Sequence, residues 1–144
     1  MESLLVPVDA DCPERTRSAI AQAISLSRTA GTKVHLLSIQ PAVSGHVAMF
    51  FAESELRAFQ QEAGEEELAP ARAQLEAAGI QSATHIRVGH RAQTIARAAH
   101  ELGCKTIVMG QDGTAPFASR LFGSVTGQVR QLVATAGGCQ VLGS

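Results

Sequence analysis

The chain has few aromatic residues and few cysteines, and its positive and negative charges nearly balance. Its 144 residues include no tryptophan, no tyrosine and only three cysteines. Cys12, Cys104 and Cys139 are far apart and form no Cys-x-x-Cys pair, which argues against a disulfide framework and a structural zinc site. Lysine and arginine total 12 against 13 aspartates and glutamates, so the formal charge is -1 and no general basic field attracts DNA or RNA. We expect no nucleic-acid partner.

Long apolar runs are also missing. No segment approaches the roughly 20 apolar residues that a membrane helix needs. The opening MESLLVPVDA lacks the basic start of a secretory signal. At 45% hydrophobic and 17% charged residues, the composition is nevertheless that of a folded globule. These features predict a single cytoplasmic domain over residues 1–144 without membrane insertion.

What the chain does contain is a regular alternation of short apolar runs with helical periodicity. Strands are predicted at residues 4–8, 34–39, 83–88, 106–109 and 139–142. Helices are predicted from Asp11 and Pro13 towards Gly31, and over 53–78, 92–102 and a stretch beginning near Ser124. Right-handed crossovers convert this order into an α/β fold, a doubly wound parallel sheet with helices on both faces. Ligands of such sheets bind beyond the carboxyl ends of the strands, where the winding reverses.

Several local expectations accompany this assignment. Asp11 is the expected cap of the first helix. Gly64 and Pro70 are expected to interrupt or bend the helix over 53–78, and the acidic run 65–67 is expected on its solvated face. Alternation over 83–88 predicts a half-exposed strand at a sheet edge. Pro7 counts against a central position for the first strand unless it lies near the strand's end.

The most informative segment is MGQDGTAPFASRLFGS, residues 109–124, which follows a predicted strand and precedes a predicted helix. Neither of two common phosphate-binding loops is present. A Walker A loop needs a lysine that the segment lacks, and no Gly-x-Gly-x-x-Gly follows the first strand. Gly110 and Gly113 are instead separated by two residues, and nine further residues lead to Gly123 and Ser124. Such a turn presents backbone N–H groups to a phosphate.

On these residues the chain resembles the universal stress protein family, in its ATP-binding branch with the pattern Gly-2x-Gly-9x-Gly-(Ser/Thr). The segment LLVPVD, residues 4–9, also resembles the family's first strand, which ends in an aspartate, and residues 105–110 resemble its fourth strand. The resemblance implies a five-stranded sheet of order 3-2-1-4-5, an adenine nucleotide alpha-hydrolase-like fold, with the nucleotide where strands 1 and 4 diverge.

The resemblance also implies a role for each site residue. Asp9 and the backbone of Ile39 would lie near the adenosine, and Met109 and Gly110 would line the pocket floor. The residues that would meet the phosphates are Gly113, Gly123, Ser124 and Val125. ATP, with or without Mg²⁺, is the implied ligand. Asp112 departs from the family, which often has a basic residue or histidine at this position. Its charge would repel a nearby triphosphate unless a divalent metal bridges them or it turns outward, and Arg120 is a candidate for compensating that charge.

The function that these expectations favour is a homodimeric stress-response protein that binds ATP and acts by nucleotide-dependent conformational or partner coupling. No general base stands beside the phosphate motif, so no catalytic residue is assigned. Two alternatives stay open: a nucleotide-free dimeric scaffold of the same fold, and a slow ATPase. The histidines show no spacing typical of a metal site, and no metal ligand is assigned.

Overall fold

The structure is a computed structural model that describes residues 3–28, 32–42, 45, 49–110, 125–136 and 139–143. Its strands are β1 (Ser3–Val8), β2 (Lys33–Gln40), β3 (Ser82–Val88), β4 (Thr106–Gly110) and β5 (Gln140–Gly143). Its helices, numbered over the described residues, are α1 (Pro13–Ser27), α2 (Glu53–Ala77), α3 (Arg91–Leu102) and α4 (Val125–Ala136). None of the described helices combines the length and apolarity needed to cross a bilayer.

The strands form one parallel sheet in the order β3-β2-β1-β4-β5, which confirms the predicted fold class and strand order. β1 and β2 stay in register from Ser3–Lys33 to Val8–Ser38. β1 and β4, in contrast, pair only at Leu4–Thr106 and Leu5–Ile107. Pro7 therefore lies beyond the last β1–β4 pair, which explains how a central strand tolerates a residue without an N–H donor.

Apolar side chains cover both faces of the sheet. Leu4, Val6 and Val8 of β1 pack with α1 and α2 in one buried cluster. Leu5 points to the opposite face and packs with α3 and α4 in a second cluster. Because successive residues of a strand alternate between faces, the unbroken apolar run of β1 fits a strand buried on both sides. β3 lies at the edge of the sheet, as its alternating sequence predicts.

The start of α1 differs from the prediction. Its N-cap residue is Cys12, and Pro13 occupies the first helical position. Asp11 is not the cap but precedes it, in the turn before the helix, where its backbone N–H donates to Oδ1 of Asp9 at 3.0 Å. The carboxylate that organises this connection therefore belongs to Asp9.

Helix α2 corrects two further expectations. It runs without interruption from Glu53 to Ala77, with Pro70 exposed inside it. Gly64 is buried, and a Cβ there would lie 2.7 Å from the Ile86 side chain, so this glycine allows the helix to approach β3 closely rather than breaking it. Glu65 and Glu66 are exposed as expected, but Glu67 is half-buried, and its Oε2 accepts a hydrogen bond of 2.6 Å from the buried Ser38 hydroxyl. Packing of α2 on β2 brings this carboxylate to the sheet.

Candidate functional site

A cleft of about 200 Å³ opens at the carboxyl end of β1, beyond the point where β1 and β4 cease to pair. In a sheet of this order the winding reverses between β1 and β4, so this is the crevice where open α/β sheets bind ligands. The described residues that line the cleft are Pro7, Asp9, Cys12, Arg15, Arg91, Met109 and Val125.

Hydrogen bonds of its own backbone hold Asp9 in the turn that follows β1. Its N–H donates to Oγ1 of Thr16 at 2.9 Å, and the Thr16 hydroxyl donates to the Asp9 carbonyl oxygen at 3.2 Å. The N–H of Cys12 donates to the same carbonyl at 3.2 Å. With Oδ1 accepting from Asp11, the Asp9 carboxylate has a defined orientation at the cleft.

Arg91 reaches the cleft from the first position of α3. Its Nη2 donates to the carbonyl oxygen of Val8 at 3.2 Å and lies 3.9 Å from Oδ2 of Asp9. Both charged side chains are about one quarter exposed, at 26% for Arg91 and 24% for Asp9. Arg91 therefore caps the end of β1 and restrains the Asp9 carboxylate from the opposite side.

Arg15 enters the cleft from the first turn of α1. Its Nη1 donates to Oγ1 of Thr126 at 3.3 Å, and Thr126 is fully buried as the second residue of α4. The hydrogen bond ties α1 to the beginning of α4. The positive end of the α4 helix dipole and the Arg15 guanidinium thus lie close together.

The end of β4 forms the side of the cleft facing α1. Met109 is buried and lines the cleft, and Gly110 follows it with φ +75°. A Cβ at Gly110 would collide with the carbonyl oxygen of Arg15 and lie 3.0 Å from the Ala19 side chain. Glycine is therefore required both for the left-handed backbone and for the close approach of α1.

The structure brings together some of the sequence-predicted site residues. Asp9, Met109 and Val125 line one cleft, with Gly110 directly behind Met109. Ile39 lies on the neighbouring strand β2, packed against the cluster around Leu5, and is not among the residues lining the cleft. The remaining predicted site residues lie outside the described part of the chain: Gly113, Gly123 and Ser124. Asp112 and Arg120 lie outside it as well.

Sequence reasoning missed both arginines of the cleft. Arg91 comes two residues after Gly89 at the carboxyl end of β3, and that end of the sheet was the predicted ligand side. The position therefore carried a usable signal. Arg15 carried none, since an arginine in the first turn of a helix is ordinarily solvated, and only the tertiary arrangement that brings the start of α1 beside the start of α4 gives it the contact with Thr126.

Other features of the described residues do not compete with this cleft. A larger depression of about 650 Å³ lies at the amino ends of β2 and β3, lined by residues including Thr32, Lys33 and Ile80. It is at the wrong end of the sheet for a switch-point ligand. No group of three or more described His, Cys, Asp or Glu residues is arranged to hold a metal ion.

Two of the three cysteines, Cys104 and Cys139, are poor nucleophiles. All three belong to the described part of the chain and are free cysteines there. Burial raises the pKa of the Cys104 thiol to about 11, with a smaller contribution from Cys139. Burial also raises the pKa of Cys139. Only Cys12 lines the cleft.

The fold and the cleft define an α/β protein with a cleft lined by charged residues at the topological switch point of a 3-2-1-4-5 sheet. The model of the universal stress protein family matches residues 1–135. The chain belongs to the universal stress protein family.

Solved structures share the fold at low sequence identity. The hypothetical protein MJ0577 matches with 24% identity and a TM-score of 0.75, covering 99% of this chain and 94% of that one. A universal stress protein in complex with cAMP matches with 18% identity and a TM-score of 0.71, covering 99% and 96%. The universal stress protein from Archaeoglobus fulgidus in complex with dAMP matches with 20% identity and a TM-score of 0.62, covering 99% and 97%. A search of the curated proteins found no match.

Proposed function

We propose that this universal stress protein is a stress-response regulator that binds ATP in the cleft at the carboxyl ends of β1 and β4. One observation carries the proposal: Asp9, Met109 and Val125 converge on the switch-point cleft together with two arginines. A cleft whose lining carries two guanidinium groups and one carboxylate suits an anionic ligand. The segment that joins β4 to α4 in the sequence carries the Gly-2x-Gly-9x-Gly-Ser pattern of the family's ATP-binding branch.

Each site residue has a proposed role in this function. Asp9 and the backbone of Ile39 contact the adenosine, whereas Met109 and Gly110 form the floor of the pocket. Four residues, at the beginning of α4 and in the sequence segment before it, bind the phosphates through their backbone N–H groups: Gly113, Gly123, Ser124 and Val125. The complexes of structural neighbours with cAMP and dAMP support an adenine nucleotide as the ligand class.

The described residues do not fit a protein-held Mg²⁺ ion. Protein-bound Mg²⁺ in nucleotide sites takes one or two carboxylates together with phosphate oxygens. Asp9 is the only carboxylate lining the described cleft, and Asp11 N–H and Arg91 already engage it. We therefore assign ATP binding to the cations and backbone of the protein, and we derive no step that passes through a metal.

The proposed mode of action is coupling rather than fast chemistry. The described cleft offers cations and hydrogen-bond donors but no unengaged general base among its described lining residues. Nucleotide binding would then change the conformation or the partner surface of a cytoplasmic homodimer, whose chain forms one domain over residues 1–144. β5 is an edge strand in the described sheet, so its outer edge is a candidate for pairing with a second copy.

The test combines ligand identification with a matched pair of glycine variants. Small molecules released from the purified protein are identified by mass spectrometry, and ATP binding is measured by isothermal titration calorimetry. Gly113→Val places bulk where the phosphates must approach, and we expect it to abolish ATP binding while the melting temperature is retained. Gly45→Val is the control, because a Cβ at Gly45 meets no atom within 4 Å. Undiminished ATP binding by Gly113→Val would reject the proposed phosphate site.

A nucleotide-free dimeric scaffold is the second candidate function. It is favoured by the small volume of the cleft, about 200 Å³, which is below the roughly 300 Å³ at which small-molecule pockets usually begin. The same calorimetry separates the two functions. A dimer that binds no adenine nucleotide at millimolar concentration supports the scaffold and rejects the ATP-binding function.

A further inference from the structure

Arg15 is the cation of the cleft without a carboxylate partner in the described part of the chain. The Arg91 guanidinium donates to the Val8 carbonyl oxygen and forms an ion pair with the Asp9 carboxylate. Arg15, which is half-buried, donates one hydrogen bond to Thr126 and forms no ion pair with a described carboxylate. A guanidinium has five N–H donors. Among the described residues, the contact with Thr126 uses one of them, so these contacts leave donors of Arg15 for an anion.

The position of Arg15 is fixed from both of its ends. Its carbonyl oxygen packs against Gly110 at the end of β4, where no Cβ would fit. Its guanidinium is held by the fully buried hydroxyl of Thr126 in the first turn of α4. An arginine restrained in this way loses little conformational freedom when it binds a ligand, and its planar donor set matches the oxygens of a phosphate.

We infer that Arg15 binds a phosphate group of the ligand and makes the cleft selective for phosphorylated nucleotides over nucleosides. The inference rests on the nucleotide-binding function proposed above and adds a residue that the family's glycine pattern does not contain. Arg91 has a different role. It is a positioning residue, because its contacts with Val8 and Asp9 orient the carboxylate assigned to the adenosine end.

Calorimetry with ATP and with adenosine separates these two roles. Arg15→Gln removes a charge-assisted hydrogen bond to phosphate, so we expect ATP to bind about 10- to 100-fold more weakly while adenosine binding is unchanged. Arg91→Gln acts through Asp9, so it should weaken ATP and adenosine by the same factor. Arg17→Gln is the matched control for charge, since Arg17 is exposed on the same helix and does not line the cleft.

The ratio of ATP affinity to adenosine affinity decides the outcome. A selective loss of ATP binding in Arg15→Gln supports the inference. Equal losses for both ligands, or no loss, overturn it while leaving the proposed function standing. A wild-type protein that binds no adenine nucleotide overturns the proposed function and this inference with it.

A second measurement uses the wild-type protein and does not depend on the folding of a variant. Phenylglyoxal modifies accessible arginines, and peptide mass spectrometry reports the extent of modification at each position. We expect saturating ATP to protect Arg15 several-fold more than saturating adenosine does, and to leave Arg17 unchanged. Equal modification of Arg15 with either ligand would overturn the inference.

Discussion

Two glycines in the left-handed conformation differ in what surrounds them, and this difference predicts their sensitivity to substitution. Gly103 follows α3 with φ +67°, and a Cβ added there would meet no atom within 4 Å, whereas Gly110 ends β4 against Arg15 and Ala19. Gly103→Ala should cost about 1–2 kcal/mol for the backbone conformation alone. Gly110→Ala adds an overpacking cost of roughly 1–3 kcal/mol.

Urea denaturation monitored by circular dichroism measures both variants. The difference between them isolates the close approach of α1 to the end of β4, because the backbone cost is common to both glycines. Equal destabilisation of the two variants would show that α1 moves away without penalty. That result would also weaken the case that Arg15 is rigidly placed.

Individual residues are predictable from the sequence only where a motif marks them. The aspartate that follows β1 and the glycine pattern beginning at Gly110 predict a site at this end of the sheet, and Asp9 and Met109 line the described cleft there. Arg15 and Glu67 are not predictable, because no local pattern distinguishes a charged residue that packs inward from one on a solvated helix face. Their surroundings depend on which helix packs against which strand.

Strands β2 and β3 carry a histidine pair that sequence spacing does not reveal. Nδ1 of His35 lies 2.9 Å from Nε2 of His85, and the His35 side chain is only 6% exposed. Burial lowers the pKa of His35, and the charges of His85 and Lys33 lower it further. Burial likewise lowers the pKa of His85, followed by the charges of Arg87 and Lys33. Both imidazoles are therefore more difficult to protonate in the folded protein.

This pair predicts a stability that declines in acid. In the unfolded chain the histidines have their ordinary pKa near 6.5. Since both values are lowered by folding, the unfolded state binds more protons as pH falls below about 6.5, and the unfolding free energy decreases there. A histidine that protonates only on unfolding contributes at most about 1.4 kcal/mol per pH unit. We expect a lower urea midpoint at pH 5.5 than at pH 7.5.

The double variant His35→Gln, His85→Gln isolates the contribution of the pair. Its urea midpoint should change less between the two pH values than that of the wild type, whatever its absolute stability. His100→Gln is the control, because His100 is exposed near the end of α3. A double variant with the wild-type pH dependence would assign the acid sensitivity to other groups.

The elements themselves are largely predictable, because each has one strong local signal. Apolar runs mark the strands, and Gly103 marks the end of α3 with the left-handed cap that its position suggests. The errors arise where one residue type can play either of two structural roles. Gly64 is a contact glycine beneath Ile86 rather than a helix break, and Asp11 belongs to a turn rather than a cap. Tertiary packing decides both cases.

At the scale of the whole molecule, the sheet has a seam between β1 and β4. β1 and β2 pair along their whole shared length, as do β2 and β3 from Val34–Ser82 to Gln40–Val88. The two β1–β4 pairs lie at the amino end. At the carboxyl ends the cleft separates the two strands, and they are linked by the packing of α1 on the end of β4 and by the Arg15–Thr126 contact. The candidate site thus lies where the two halves of the sheet are least connected.

A ligand in this cleft should therefore connect the two halves of the sheet and stabilise the folded protein. At a free ATP concentration about 100 times its Kd, the unfolding free energy should increase by about 2.7 kcal/mol. Hydrogen exchange at labelling times too short for global unfolding should slow in β4 and β5, which the ligand ties to Asp9, and remain unchanged in the distant edge strand β3. Equal slowing in β3 and β4, or none in β4, would place the bound nucleotide away from the seam.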